Sequence, residues 1–213
     1  MVSRYSIVII VLLCVGCSVN PVTGERDFVL MSEQEELALG RQHSQQVMKA
    51  YRRYDDPELQ QYVQSVGDRV ARVSHRLNLI YRFTLLDSTQ VNAFALPGGY
   101  IYITRGLLVY LNSEAELAAV LGHELGHVTA RHSVRQHSLA TTTNIIGSLI
   151  AAASGVQWAG QLTNMLGTGI VRGYGREHEL EADGLGVQYL INAGYRASAM
   201  RQVISTLKNQ ELF

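Results

Sequence analysis

The spacing of apolar residues along this chain changes twice. From Asp56-Pro57 onward, Leu59, Tyr62, Val63, Val66, Val70 and Val73 recur at three and four residues, one face of an α-helix. Asp56 suits the cap and Pro57 the first turn. An earlier helix is predicted over residues 32–51, opened by the capping box Ser32-Glu33-Gln34-Glu35. The period then shortens, and residues 81–86, 91–96 and 100–104 read as strands. Pro97-Gly98-Gly99 turns the second strand into the third. Helical spacing returns after a second capping box, Ser113-Glu114-Ala115-Glu116, with Leu117, Val120, Leu121, Leu125 and Val128 as the stripe. Two further helices are predicted, over 177–193 with Gly194 ending it, and from about 197 onward. The fold class is α+β: a mainly helical domain with a small, mostly antiparallel sheet beside the helix that starts at Ser113.

The helix from Ser113 carries His123-Glu124-Leu125-Gly126-His127, the pattern H-E-x-x-H. Histidines four apart on a helix point the same way and can grip one metal ion, with Glu124 alongside as the base. Gly122 and Gly126 would each cost a free helix about 1 kcal/mol relative to alanine, so something is expected to pack close there. A catalytic zinc takes three protein ligands and keeps one position for water. The third ligand is not a histidine six residues on, where Ser133 stands. His132 faces another side of the helix and reads as a packing or hydrogen-bonding neighbour. A carboxylate from Arg176-Glu177-His178-Glu179-Leu180-Glu181-Ala182-Asp183 is the other solution. Glu177 with Glu181 and Glu179 with Asp183 both have one-face spacing, and spacing alone leaves the choice open. Tyr174, Arg176 and His178 are candidates for stabilising an oxyanion, while His43, His75 and His137 read as surface or packing residues.

The N-terminus has its own pattern. Arg4 precedes an apolar run over residues 7–15, which ends in Cys14-Val15-Gly16-Cys17. This is the layout of a signal peptide, and the run is too short to cross a bilayer comfortably. Residues 1–16 are expected as signal peptide, 17–31 as a tether with turns at Asn20-Pro21 and Thr23-Gly24, and 32–213 as the domain, with a C-terminal part possible beyond it. Zero formal net charge and a pI of 7.1 argue against nucleic acid as the main partner. Residues 136–171 contain no Asp, Glu, Lys or Arg. They are expected as a helical hairpin packed beside the site, the competing reading being a membrane-touching or mobile flap.

H-E-x-x-H followed by E-x-x-A-D resembles the HtpX/BepA-like zinc metallopeptidases, relatives of the CAAX prenyl proteases. Asn20-Pro21-Val22-Thr23-Gly24, Asn92 through Gly99 and His127-Val128-Thr129-Ala130-Arg131-His132 resemble the lipoprotein branch of that family. Gly16-Cys17 is similar to a bacterial lipobox, with Cys14 where leucine is usual. The resemblance implies a gluzincin-like, zincin-type domain with one Zn2+ per chain, held by His123, His127 and Glu179. It implies Asp183 as partner of a zinc histidine, lipidation at Cys17, and anchoring on the periplasmic face of the outer membrane. The strand segment Asn92-Ala93-Phe94-Ala95 is the candidate edge for pairing with a peptide. The expected function is a zinc endopeptidase of the bacterial cell envelope, cleaving unfolded or misassembled proteins with zinc-activated water and Glu124 as general base. The alternative is a chaperone-like assembly factor with a latent zinc site, working with envelope assembly machinery.

Overall fold

The computed structural model describes residues 17–154 and 174–210. The order begins β1 (Cys17–Val19), β2 (Arg26–Phe28), α1 (Glu33–Ala50), α2 (Pro57–Ala71), β3 (Arg82–Leu86) and β4 (Ala93–Leu96). It continues with β5 (Tyr100–Thr104), α3 (Arg105–Leu108), α4 (Glu114–Thr129), α5 (His132–Ser154), α6 (Arg176–Asn192) and α7 (Ser198–Gln210). The caps follow the sequence closely. Ser32 and Glu35 close a full capping box, and Asp56 accepts from the Leu59 N–H. At α4 only half the box forms: Ser113 accepts from the Glu116 N–H, but the Glu116 carboxylate accepts from the Asn112 N–H instead, at 2.8 Å. α6 ends in a Schellman motif, with Tyr195 N–H to Leu190 O, Gly194 N–H to Ile191 O, and Gly194 left-handed at φ +85°.

Two of the three strand pairings among the described residues are antiparallel, β1 with β2 and β4 with β5. The third is parallel: β3 lies beside β5, in the order β3–β5–β4. Central β5 buries Ile101, Tyr102 and Ile103 in succession, because the strand is covered on both faces.

The two edges of this sheet are treated differently. Along β3, Gln64 accepts from the Phe83 N–H at 2.9 Å and donates to Tyr81 O, while Gln60 accepts from the Leu85 N–H and donates to Leu85 O at 2.7 Å. Two glutamines one helical turn apart on α2 thus stand in for a missing strand and satisfy the backbone. No strand and no glutamine pair covers β4 among the described residues; its outer edge faces the H-E-x-x-H helix, where Glu124 accepts from the Ala95 N–H.

That helix, α4, is the centre of the domain, with α6, α2 and α7 packed around it and β4 and β5 alongside. Gly122 and Gly126 form the crossing with α6. A Cβ on Gly126 would stand 2.9 Å from the carbonyl oxygen of Ala182 and 3.0 Å from its Cα. Backbone cannot yield as a side chain can. Gly126→Ala is therefore expected to lower stability by about 1–2 kcal/mol: overpacking costs about 1–3 kcal/mol, and helix propensity returns up to about 1. A thermal melt checks the sign, since a Tm at or above wild type would contradict the tight crossing.

The segment expected as a tether, 17–31, is instead folded onto the domain. β1 and β2 pair as a hairpin, and buried Asn20 closes its turn by accepting from the Val22 N–H at 2.8 Å and donating to Asp27 at 2.8 Å. The Leu30 N–H donates to Ser138 Oγ, and Arg131 donates to Ser18 Oγ and Met31 O. Turn residues gave the bends, but docking depends on partners 100 or more positions away. The signal segment, 1–16, lies outside the described residues. So does 155–173, and with it the second half of the expected helical hairpin; its first part is α5. No described helix is long and apolar enough to cross a membrane.

Candidate metal centre and active site

α4 presents His123 and His127 one turn apart, their Nε2 atoms 3.1 Å from each other. The close crossing at Gly122 and Gly126 brings the start of α6 over them. Glu179 places one oxygen 3.4 Å from His123 Nε2 and the other 3.8 Å from His127 Nε2. One donor atom from each residue lies within 4.8 Å of the others. Two ligands bound tetrahedrally to zinc at about 2.0–2.1 Å stand roughly 3.3 Å apart, so this triangle has the size zinc requires. Two imidazoles and a carboxylate are also a donor set of catalytic zinc sites.

Behind the triangle, both histidines are held from the other ring nitrogen. His123 Nδ1 lies 2.9 Å from Asp183 Oδ1, and His127 Nδ1 lies 2.8 Å from His132 Nδ1. His132 Nε2 is 3.0 Å from Glu181, which also accepts from Arg135 at 3.1 Å. Of the two carboxylate pairs that spacing left open, Glu179 and Asp183 face the histidines, whereas Glu181 serves His132 and Glu177 is exposed.

The electrostatics suit a cation. Burial, with His123 and His132 close by, drops the His127 pKa to about 2 and keeps its ring neutral. Burial also opposes charge on His123, but hydrogen bonds to Asp183 and Glu179 and the charge of Glu124 outweigh it and lift the pKa to about 10. The carboxylates thus draw a positive charge into the site. A divalent ion would supply it and displace the proton. Burial pushes the Glu124 carboxyl up to about 7, with Glu179 adding to the rise and the His123 charge and the Ala95 N–H opposing it.

The triangle opens into a cavity of about 470 Å³. Asn92, Ala93, Phe94 and Ala95, the expected peptide-pairing segment, line one wall together with Leu96 and Pro97. Only Ala93 onward is strand, and Phe94 stacks on Tyr102 at 5.1 Å. A second cavity of about 520 Å³ shares Asn92, Ala93, His123, Glu124 and Glu179 with the first. Its remaining wall is largely apolar, with Leu107, Val120, Met200, Val203, Ile204 and Leu207.

Two histidines read as surface or packing side chains belong to the cleft: His43 from α1 and His137 from α5 line it. No local signal marked them, because α1 and α5 reach the cleft only through the tertiary fold. His75 is elsewhere, 2.6 Å from the Tyr189 hydroxyl. Among the oxyanion candidates, the Tyr174 ring stacks on His127 at 4.0 Å with its hydroxyl at Ser133, and His178 stacks on His132 at 4.3 Å. Arg176 is exposed.

The beta-barrel assembly-enhancing protease of Yersinia pestis is 31% identical over 203 residues, covering 91% of this chain and 42% of that protein. The Escherichia coli K12 protein of the same name is 32% identical over 186 residues, covering 83% and 38%. The mitochondrial metalloendopeptidase OMA1 of Schizosaccharomyces pombe is 33% identical over 141 residues, covering 66% and 41%. The chain thus spans about two fifths of the length of these relatives. The model of peptidase family M48 matches residues 57–213, which include the helix α4, the sheet and Glu179, and the chain belongs to that metallopeptidase family.

Proposed function

We infer that this domain is a zinc endopeptidase acting on unfolded or misassembled proteins of the bacterial cell envelope. The observation that carries the reading is the His123–His127–Glu179 triangle set beside a sheet edge that no other described strand pairs with, with Glu124 between them in the cleft wall. His123, His127 and Glu179 would hold the zinc. When bound, zinc supplies Lewis acidity, acidifying a water and polarising a carbonyl. Glu124 takes the proton of the attacking water and passes it to the leaving amine. Asp183 fixes the His123 ring by accepting its Nδ1 proton, which leaves Nε2 free as a ligand. β4 aligns an extended substrate by backbone hydrogen bonds, which read no sequence and suit unfolded chains. The apolar cavity beside Glu124 accommodates side chains that a folded protein hides.

The names of the relatives and the Gly16-Cys17 pair support a place on the periplasmic face of the outer membrane, with a lipid at Cys17 as the anchor. The alternative, an assembly factor with a latent site, draws on Tyr174, whose ring covers one face of His127. Zinc content measured beside cleavage of an unfolded protein such as casein tests both. The peptidase reading expects one zinc per chain and cleavage that chelation stops and zinc restores. Zinc without cleavage would favour the latent site, and no zinc would reject the metal reading.

A further inference from the structure

The two metal-facing histidines are supported by different devices. His123 rests directly on a carboxylate, whereas His127 rests on another histidine, and that histidine on Glu181. The proton positions follow from the geometry. His127 Nε2 faces His123 Nε2 and Glu179, so it must carry the lone pair if it is to be a ligand. The proton of His127 then sits on Nδ1, and the only acceptor there among the described residues is His132 Nδ1, at 2.8 Å. His132 Nδ1 must therefore be bare. Its own proton lies on Nε2 and is donated to Glu181 Oε2, 3.0 Å away. Arg135 donates to the same oxygen and holds the carboxylate in place. His132 is fully buried and stacked on His178, so its ring cannot swing away. A left-handed Arg131, at φ +56°, turns the chain sharply enough after α4 to fold His132 back under His127.

We propose that His132 is a positioning residue, relaying the charge of Glu181 to His127 through a one-way hydrogen-bond chain that fixes the tautomer and aim of this zinc ligand. The proposal rests on the zinc reading above. It makes the two ligand histidines unequal: one is braced by a charge in contact, the other by a charge one ring away.

The test compares the purified chain with His132→Leu, His132→Asn and Glu181→Gln, measuring zinc affinity by competition with a chromogenic chelator. Outer partners of metal histidines are typically worth 10–100-fold in affinity. His132→Leu is expected to lose that much. His132→Asn, whose side-chain oxygen can still accept from His127 Nδ1, should recover most of it. Glu181→Gln should lose several-fold while folding normally, since Glu181 lies only partly buried at the surface. Histidine 15N shifts of the zinc-loaded wild type should place the His132 proton on Nε2. Wild-type affinity in both Glu181→Gln and His132→Leu, or a His132 protonated on Nδ1, would overturn the relay. If His132→Leu does not fold, Glu181→Gln and the 15N shifts decide alone. A wild-type chain that takes up no zinc would overturn the relay together with the metal reading, whereas normal zinc uptake with insensitive variants would overturn the relay only.

Discussion

Glu124→Gln is expected to abolish proteolysis and leave zinc binding intact. Glu124 lines the cleft next to His123, yet it is not one of the three donors that converge. Its carboxyl is buried, so a change that left an unpaired charge or a cavity would confuse chemistry with stability. Glutamine avoids both, keeping the shape and the ability to accept from the Ala95 N–H while removing only the capacity to take a proton. A positioned general base contributes about 10²–10⁴-fold, so kcat/KM should fall by that factor with the melting curve and zinc content unchanged. Because the triangle is untouched, any loss of zinc in this variant would mean that Glu124 is a ligand. Unchanged cleavage would remove it from the mechanism.

What the sequence discloses depends on how local the cause is. The H-E-x-x-H helix is legible because two histidines at helical spacing, an apolar stripe and a capping serine all act within one element. Gly122 and Gly126 disclosed a close neighbour but not its identity, which is α6. Spacing left Glu179 and Glu181 equal, and only the rotation of α6 over α4 separates a carboxylate that faces the histidines from one that braces His132. The parallel pairing of β3 with β5 was hidden for a related reason: alternation fixes which face a strand buries, not which neighbour it takes. Gln60 and Gln64 lie off the apolar stripe of α2 and carry no local signal, yet they complete the edge of a sheet. Substrate alignment depends on that difference, since it leaves β4 as the edge open to a peptide.

The largest stability effect is expected at Glu36, which lies in the first turn of α1 and which no local sequence pattern singled out. Its carboxylate is buried and accepts from Arg76 at 2.6 Å and from Arg131 at 2.8 Å. Both guanidiniums are themselves buried. Arg76 also donates to Val128 O in the last turn of α4, and Arg131 reaches Ser18 and Met31 of the N-terminal segment. One carboxylate thus joins α1, the end of the metal helix and the hairpin. Glu36→Ala would leave two buried cations facing each other, a loss of about 3–5 kcal/mol, and on marginal total stability that is a large share. Replacing Glu36, Arg76 and Arg131 together by apolar residues of similar volume should recover most of it, because the desolvation of all three charges is then relieved. Denaturant titration of the single and triple variants checks this, and a Glu36→Ala protein within about 1 kcal/mol of wild type would refute it. The triple variant also separates stability from function. Arg131 is held in the left-handed turn that sets His132 under His127 by its hydrogen bonds to Glu36, Ser18 and Met31, none of which an apolar side chain can make. A triple variant that folds well should therefore still bind zinc more weakly than wild type, because its stability no longer depends on the ion pairs while the aim of His127 still depends on that turn.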